Sequence, residues 1–256
     1  MRRVNFCSAV IVMVGVFLFV GNGKVCAEEA AVQEEESALS LEVVADFATD
    51  YMFRGQNLYD GTSIQPSVSG GYDFGELGKV NALVWSHLSA EGGQGASEKF
   101  TEVDFDLSYE IGIDILTLAA GHLWYTFPDS GDDINETNEF YVSASLDTIL
   151  APTFTYYRDY REFDNNFFEL GLSHEIECSK LGEGFNLTPS VTFGWATNAE
   201  KVYDEDSGLM YVEAGLSSEV EFGIFTLVPS FNYTFQVDDS TQNEFWFKIG
   251  VGYSLI

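Results

Sequence analysis

Thr101 to Tyr109 reads TEVDFDLSY, and its alternation decides the fold. Successive side chains of an extended chain point to opposite faces. Val103, Phe105, Leu107 and Tyr109 therefore share one face, and Glu102, Asp104, Asp106 and Ser108 share the other. One face suits hydrocarbon, and the other needs water or polar partners. Leu41 to Tyr51 repeats the pattern, with Leu41, Val43, Ala45, Phe47, Thr49 and Tyr51 against Glu42, Val44, Asp46, Ala48 and Asp50. So does Glu244 to Leu255, where Phe245, Phe247, Ile249, Val251, Tyr253 and Leu255 oppose Glu244, Trp246, Lys248, Gly250, Gly252 and Ser254.

Working outward from these stretches gives twelve strand segments, beginning near Ser40, Ser63, Val80, Phe100, Ile115, Glu139, Pro152, Phe167, Phe185, Met210, Ile224 and Glu244. The links between them alternate in length. Phe74–Lys79, Ile111–Asp114, Thr148–Ala151 and Glu221–Gly223 are short. Met52–Thr62, Ser89–Glu98, Pro128–Asn138, Asn198–Gly208 and Gln236–Asn243 are longer and more polar, and Glu177–Gly184 is long where a short link is due. Short turns at one end and long loops at the other mark a membrane-spanning barrel. The expected fold is all-β, a 12-stranded antiparallel transmembrane up-and-down β-barrel over residues 39–256.

Aromatic residues sort by strand end. Tyr51, Phe53, Trp124, Tyr125, Phe127, Phe140, Tyr141, Tyr156, Tyr157, Phe167, Trp195, Tyr211, Tyr233, Phe235, Phe245 and Phe247 fall at the long-loop end. Tyr72, Phe74, Tyr109, Phe185, Phe222 and Tyr253 fall at the short-turn end. Two interfacial belts are expected from this ordering. A soluble β-sandwich also alternates, but it does not explain so many acidic faces. The apolar-alternating strand Phe245 to Leu255 is the kind of segment an outer-membrane assembly machinery engages. Some segments fit less well: Val80–Leu88 and Ile115–Phe127 are apolar on both faces, and Pro189 and Pro229 fall inside strands. Bulges near the short-turn rim are expected to accommodate the prolines.

Composition narrows the function. The chain has 256 residues, 41 Asp plus Glu against 11 Lys plus Arg, and a formal charge of −30. Phosphates would be repelled, so nucleic acid is excluded as a partner. Aromatic residues at 15% argue against disorder. Residues 1–27 read as a cleaved signal peptide, with Arg2 and Arg3, an apolar stretch from Ser8 to Val20, and the small-residue site Val25-Cys26-Ala27. Residues 28–38 read as a flexible acidic periplasmic leader. Cys178 is the only cysteine after the signal, so no internal disulfide and no cysteine metal site is expected. The location implied is the outer membrane of a Gram-negative-type bacterium, with membrane lipids and lipopolysaccharide as neighbours.

At Ala48-Thr49-Asp50-Tyr51-Met52-Phe53-Arg54-Gly55, followed by the small-residue run PSVSGG at Pro66–Gly71 and by Val84-Trp85-Ser86, the chain resembles the TorF-type porin family. The resemblance is specific over Ala45 to Ser86 and architectural beyond. It implies an exported outer-membrane barrel acting as a pore of undefined substrate, and it supplies no catalytic residues. Asp50 and Arg54 match its motif without an assigned role.

If the apolar faces meet lipid, the alternate faces line the lumen, because carboxylates in hydrocarbon cost several kcal/mol each. The expected pore-lining residues are Glu42, Asp46, Asp50, Arg54, Glu102, Asp104, Asp106, Glu169, Glu213 and Lys248, with Glu110, Glu175 and Glu219 on the same faces. Arg54 is expected to pair with lumen carboxylates near the mouth and narrow it. Such a lumen favours cations. The expected function is a passive channel for small solutes or cations. The alternative is a non-conducting structural or adhesive barrel, because twelve strands fall between filled barrels of about eight and water-filled porins of about sixteen.

Enzymatic chemistry finds little support. His87, His122 and His174 lie within expected strands and in no Ser motif; Ser173 and His174 point to opposite faces. No catalytic residue is assigned, and a lipid-acting outer-membrane enzyme is the remaining catalytic alternative. The acidic loops Asp129–Glu139 and Asp204–Gly208 lack the spacing of a calcium loop, so neither metal nor cofactor is expected beyond loose divalent bridging to lipopolysaccharide. Asn135-Glu136-Thr137 and Asn232-Tyr233-Thr234 match a glycosylation pattern that carries little meaning in a bacterial envelope.

Overall fold

The computed structural model describes residues 38–90, 100–128, 134–178 and 185–255. The expected signal peptide, residues 28–37 of the leader, and the parts of three links at 91–99, 129–133 and 179–184 lie outside the described residues.

The strand segments are β1 (Leu39–Phe53), β2 (Gln56–Asp73), β3 (Lys79–Ser89), β4 (Phe100–Ile113), β5 (Leu116–Thr126), β6 (Glu136–Leu146), β7 (Thr153–Asp159), β8 (Asn166–Ser173), β9 (Ile176–Glu177), β10 (Asn186–Thr197), β11 (Ser207–Ser217), β12 (Val220–Phe222), β13 (Phe225–Gln236) and β14 (Glu244–Ser254). Each pairs antiparallel with its sequence neighbours, β9 continuing the line of β8 and β12 that of β11. The first strand meets the last, from Glu42 opposite Ser254 to Ala48 opposite Lys248, and the sheet closes. The result is a closed 12-stranded antiparallel barrel. Among the described residues the long wall strands thus bond on both sides, while the short segments β9 and β12 pair only with β10 and β13.

Alternation sorts the side chains as TEVDFDLSY requires. Phe105 and Leu107 are 43% and 60% exposed on the outer surface, whereas Asp104 between its neighbours is 0% exposed inside. Val43, Phe47, Val84, Phe140, Val142, Phe154 and Phe231 extend the exposed apolar band around the wall. Tyr72, Phe74, Tyr109, Phe222 and Tyr253 are exposed at the short-turn end. A continuous apolar exterior of this extent marks contact with a non-aqueous medium.

Three sequence expectations need correction. First, Met52–Thr62 is not a long loop: β1 and β2 run on through it and join at Arg54-Gly55. Both turn residues have positive φ, 47° and 82°, which suits a two-residue hairpin whose twist matches its strands.

Second, the rim prolines interrupt partner strands. Ser190 pairs with Ser173 and Ser217 with Ser230, so Pro189 and Pro229 stand opposite the points where β8 and β11 end. Each proline carbonyl still accepts a bond, from the N–H of His174 at 3.1 Å and of Ser218 at 3.1 Å. Having no N–H, each proline returns none, and the partner ladder breaks before resuming as β9 and β12. His174 consequently lies in a strand break.

Third, the long-loop aromatics do not form one belt. Trp124, Phe140, Phe235 and Phe245 are exposed outside, but Tyr51, Tyr125, Tyr157, Phe167 and Tyr211 are buried inside. Adjacent residues such as Trp124 and Tyr125 must face opposite ways.

Candidate functional site at the long-loop mouth

The interior divides along the barrel axis. Towards the short-turn rim, Lys248 Nζ donates to Asp46 Oδ2 at 3.0 Å, and Glu42, half-buried, lies against Gly252. Gly250 leaves room for the Asp46 carboxylate, since a Cβ there would come within 2.6 Å of Asp46 Oδ1 and the carboxylate would have to move. Further up, Tyr141 donates to Asp106 at 3.1 Å and Thr234 Oγ1 to Glu213 at 3.1 Å. Tyr51 donates to Glu102 at 2.8 Å and stacks on His87 at 4.6 Å. His87 Nδ1 lies 2.6 Å from Thr101 Oγ1. Tyr211 donates to Glu169 at 2.6 Å. Asp50 accepts from Thr49 Oγ1 at 2.6 Å and from Asn57 Nδ2 at 3.2 Å.

The long-loop mouth is organised by Arg54. Going round the wall from β1, strand β7 is six steps away in either direction, so it stands diametrically opposite. Yet the Arg54 guanidinium lies over Tyr157 of β7 at 4.4 Å and Phe167 of β8 at 4.4 Å, with Phe53 at 4.8 Å. Its two terminal nitrogens donate to Glu139 of β6 at 2.7 and 2.8 Å, and Tyr125 donates to the same carboxylate at 2.9 Å. Tyr203 donates to the Arg54 carbonyl at 3.0 Å, and Gln56 Nε2 to the Val202 carbonyl at 2.7 Å. The tip of the first hairpin therefore crosses the lumen and docks on the far wall.

The backbone explains how it gets there. The β1–β2 register slips between Ala48 and Asp50 and again between Tyr51 and Met52, each time leaving extra residues on β2. Two bulges in close succession bend and twist a ribbon. Gly61, at φ 147°, supplies a conformation other residues adopt poorly. At the tip, Gly55 lies so close to Tyr211 that a Cβ would come within 2.4 Å of that residue's Cβ.

The carboxylate that Arg54 pairs with is thus Glu139, which is not among the expected pore-lining residues. Glu139 was missed because it begins its segment next to a polar link and reads as loop. Tyr125, Tyr157 and Phe167 are among the aromatics expected in the interfacial belt at the long-loop end, and alternation with Trp124, Tyr156 and Phe168 turns them to the opposite face. Of the additional acids, Glu110 and Glu175 are exposed at the rim and Glu219 is half-buried. Among the described residues no cluster of His, Cys, Asp and Glu is arranged to hold a metal ion.

The chain is similar to an outer membrane channel from Pseudomonas putida F1, with 8% identity, 89% of this chain and 100% of that chain covered, and a TM-score of 0.52. It is also similar to a bacterial polysaccharide outer membrane secretin, with 8% identity, 87% and 100% coverage, and a TM-score of 0.51. At such identities the likeness is one of fold. No family model and no curated protein matches the chain, so the resemblance to TorF-type porins rests on Ala45 to Ser86 alone.

Proposed function

We propose that this chain is an outer-membrane channel for small solutes or ions, cation-preferring, with its constriction at the Arg54–Glu139 pair. The observation that carries the reading is the sorting of charge across the wall. Asp46, Asp50, Glu102, Asp104, Asp106 and Glu169 are all buried inside, while Arg54 and Lys248 already have carboxylate partners. Fixed carboxylates inside a low-dielectric wall lower the energy of a passing cation and raise that of an anion. The apolar exterior supports the membrane location, and the barrel fold is one that outer-membrane channels use.

Planar-bilayer recording of the refolded protein tests this reading. Under a KCl gradient the reversal potential should take the sign of K⁺ preference. Anion preference would overturn it.

A second reading has its own support. The docked hairpin tip, stacked on the opposite wall, favours a barrel that does not conduct at rest and serves a structural role. A silent wild type together with a silent Arg54→Ala variant would establish that reading.

A further inference from the structure

Glu139, Tyr157 and Phe167 stand on the consecutive wall strands β6, β7 and β8. Tyr157 pairs with Phe167 and with Tyr141, two residues along from Glu139. All three are buried inside. Tyr125 of β5 donates to a Glu139 oxygen at 2.9 Å and so orients the carboxylate. The Arg54 guanidinium sits on this set. Its two terminal nitrogens meet the two Glu139 oxygens at 2.7 and 2.8 Å, and its carbon lies 4.4 Å from the centre of each ring.

The wall selects by shape as well as by charge. A planar fork of N–H groups matches the edge of a carboxylate, and aromatic rings attract a delocalised, weakly hydrated cation. An ammonium is a point charge and cannot make the two parallel bonds. The present occupant is tethered to the other side of the barrel, since Arg54 is the tip of a hairpin that rises from the opposite wall. Beyond the guanidinium, Tyr203 holds the tip through the Arg54 carbonyl at 3.0 Å, and Gln56 holds it through the Val202 carbonyl at 2.7 Å. A cavity of about 260 Å³ lies at the long-loop mouth, and Arg54, Tyr125, Glu139 and Phe167 all belong to its wall. A solute arriving from that side reaches the pair directly.

We infer that Glu139, Tyr157 and Phe167 form a binding site for solutes that carry a guanidinium group, and that Arg54 is its occupant at rest. An entering guanidinium takes the carboxylate and the two rings, and the hairpin tip leaves them. Glu139 is never stranded, because one guanidinium replaces another, and the released Arg54 moves out towards water at the mouth. A tethered occupant competes as a local concentration on the order of millimolar or above. Binding to the wild type is therefore weak, as suits a solute that must also leave a channel. On the channel reading, on which this inference rests, the site sets the solute class: organic cations that carry a guanidinium.

The test is calorimetric titration of the full barrel, in a neutral alkyl-glycoside detergent, with methylguanidinium. Methylammonium serves as the point charge and methylurea as the uncharged isostere. Binding is read without current: binding without conduction defeats only the channel reading, and conduction without binding defeats only the site. Arg54→Ala empties the site and should bind methylguanidinium one-to-one, about tenfold or more tighter than the wild type does. It should prefer methylguanidinium to methylammonium by about tenfold and show no saturable methylurea binding. Adding Glu139→Gln should erase that preference. Tyr203→Phe keeps the ring that stacks on Phe167 and removes the bond to the Arg54 carbonyl. It loosens the tip without touching Glu139 and should tighten methylguanidinium binding about fivefold over the wild type. This variant retains Arg54, so it decides the matter if Arg54→Ala fails to refold. Absence of saturable methylguanidinium binding to Arg54→Ala would overturn the proposal. So would equal affinity for methylammonium, wild-type binding as tight as that of Arg54→Ala, or unchanged binding in Tyr203→Phe.

Discussion

Arg54 shows what one charged residue does inside a barrel. A guanidinium taken from water needs a carboxylate and good geometry, and here it has a two-point pair with Glu139 plus the rings of Tyr157 and Phe167, each 4.4 Å away. Removing one partner of such a pair leaves the other charged and buried, at a cost of about 3–5 kcal/mol. Arg54→Leu should therefore lower the temperature at which the folded band disappears in semi-native electrophoresis. Arg54→Leu with Glu139→Leu should restore most of that loss, because the stranded carboxylate goes too. A double variant no more stable than the single one would argue against the pair. In bilayers, Arg54→Ala should raise conductance without inverting selectivity, since it opens the constriction and leaves the acids in place.

At the scale of elements, the loops at the mouth are tied together by backbone bonds to one carboxylate. Asp238, between β13 and β14, accepts from the N–H groups of Asp204 at 3.2 Å, Glu205 at 2.9 Å and Ser240 at 2.8 Å, and from the Ser240 hydroxyl. Desolvation pushes its pKa up, but the bonds from Ser240, Glu205 and Asp204 outweigh that and hold it below the ordinary aspartate value. A depressed carboxyl stabilises the fold above its unfolded pKa and loses that contribution as pH falls through the folded value. The 198–206 link should thus stay protected near neutrality and begin to loosen only below about pH 4. Asp238→Asn should remove this acid step and raise hydrogen exchange at Asp204 and Glu205 at neutral pH. The hairpin tip offers a parallel test. Any side chain at Gly55 meets Tyr211, and φ 82° is strained for it. Gly55→Val should lift the tip off β11 and raise conductance while the wall strands keep their exchange protection.

For the whole molecule, the wall and its contents separate energetically. The closed hydrogen-bonded sheet should keep the unheated protein compact in detergent and shift its mobility on boiling. A chain that is soluble without detergent and shows no shift would not be a membrane barrel. Cation preference belongs to this scale because it sums the field of many carboxylates. Asp104→Asn with Asp106→Asn should reduce it, and rising salt should weaken it as the screening length falls from about 10 Å at 0.1 M towards 3 Å at 1 M.

The alternation in Thr101–Tyr109 determined which face of β4 meets lipid, because period two is a local property of an extended chain. The same rule placed all but one of the segment starts within a few residues and put Asp46, Glu102, Asp104, Asp106 and Glu169 inside. Ser63 was the exception. It was read as the start of the second strand, which begins at Gln56 because the polar run after Arg54 pairs with β1 instead of looping. What only the tertiary structure decided is what those inward residues meet. Arg54 and Glu139 are 85 residues apart, and Arg54 and Tyr203 are 149 apart. Their meeting depends on closure of the β1–β14 seam and on two bulges that swing one hairpin across the lumen. Sequence periodicity carries no information about distances across a closed ring, so the filled mouth became visible only once the ring was closed.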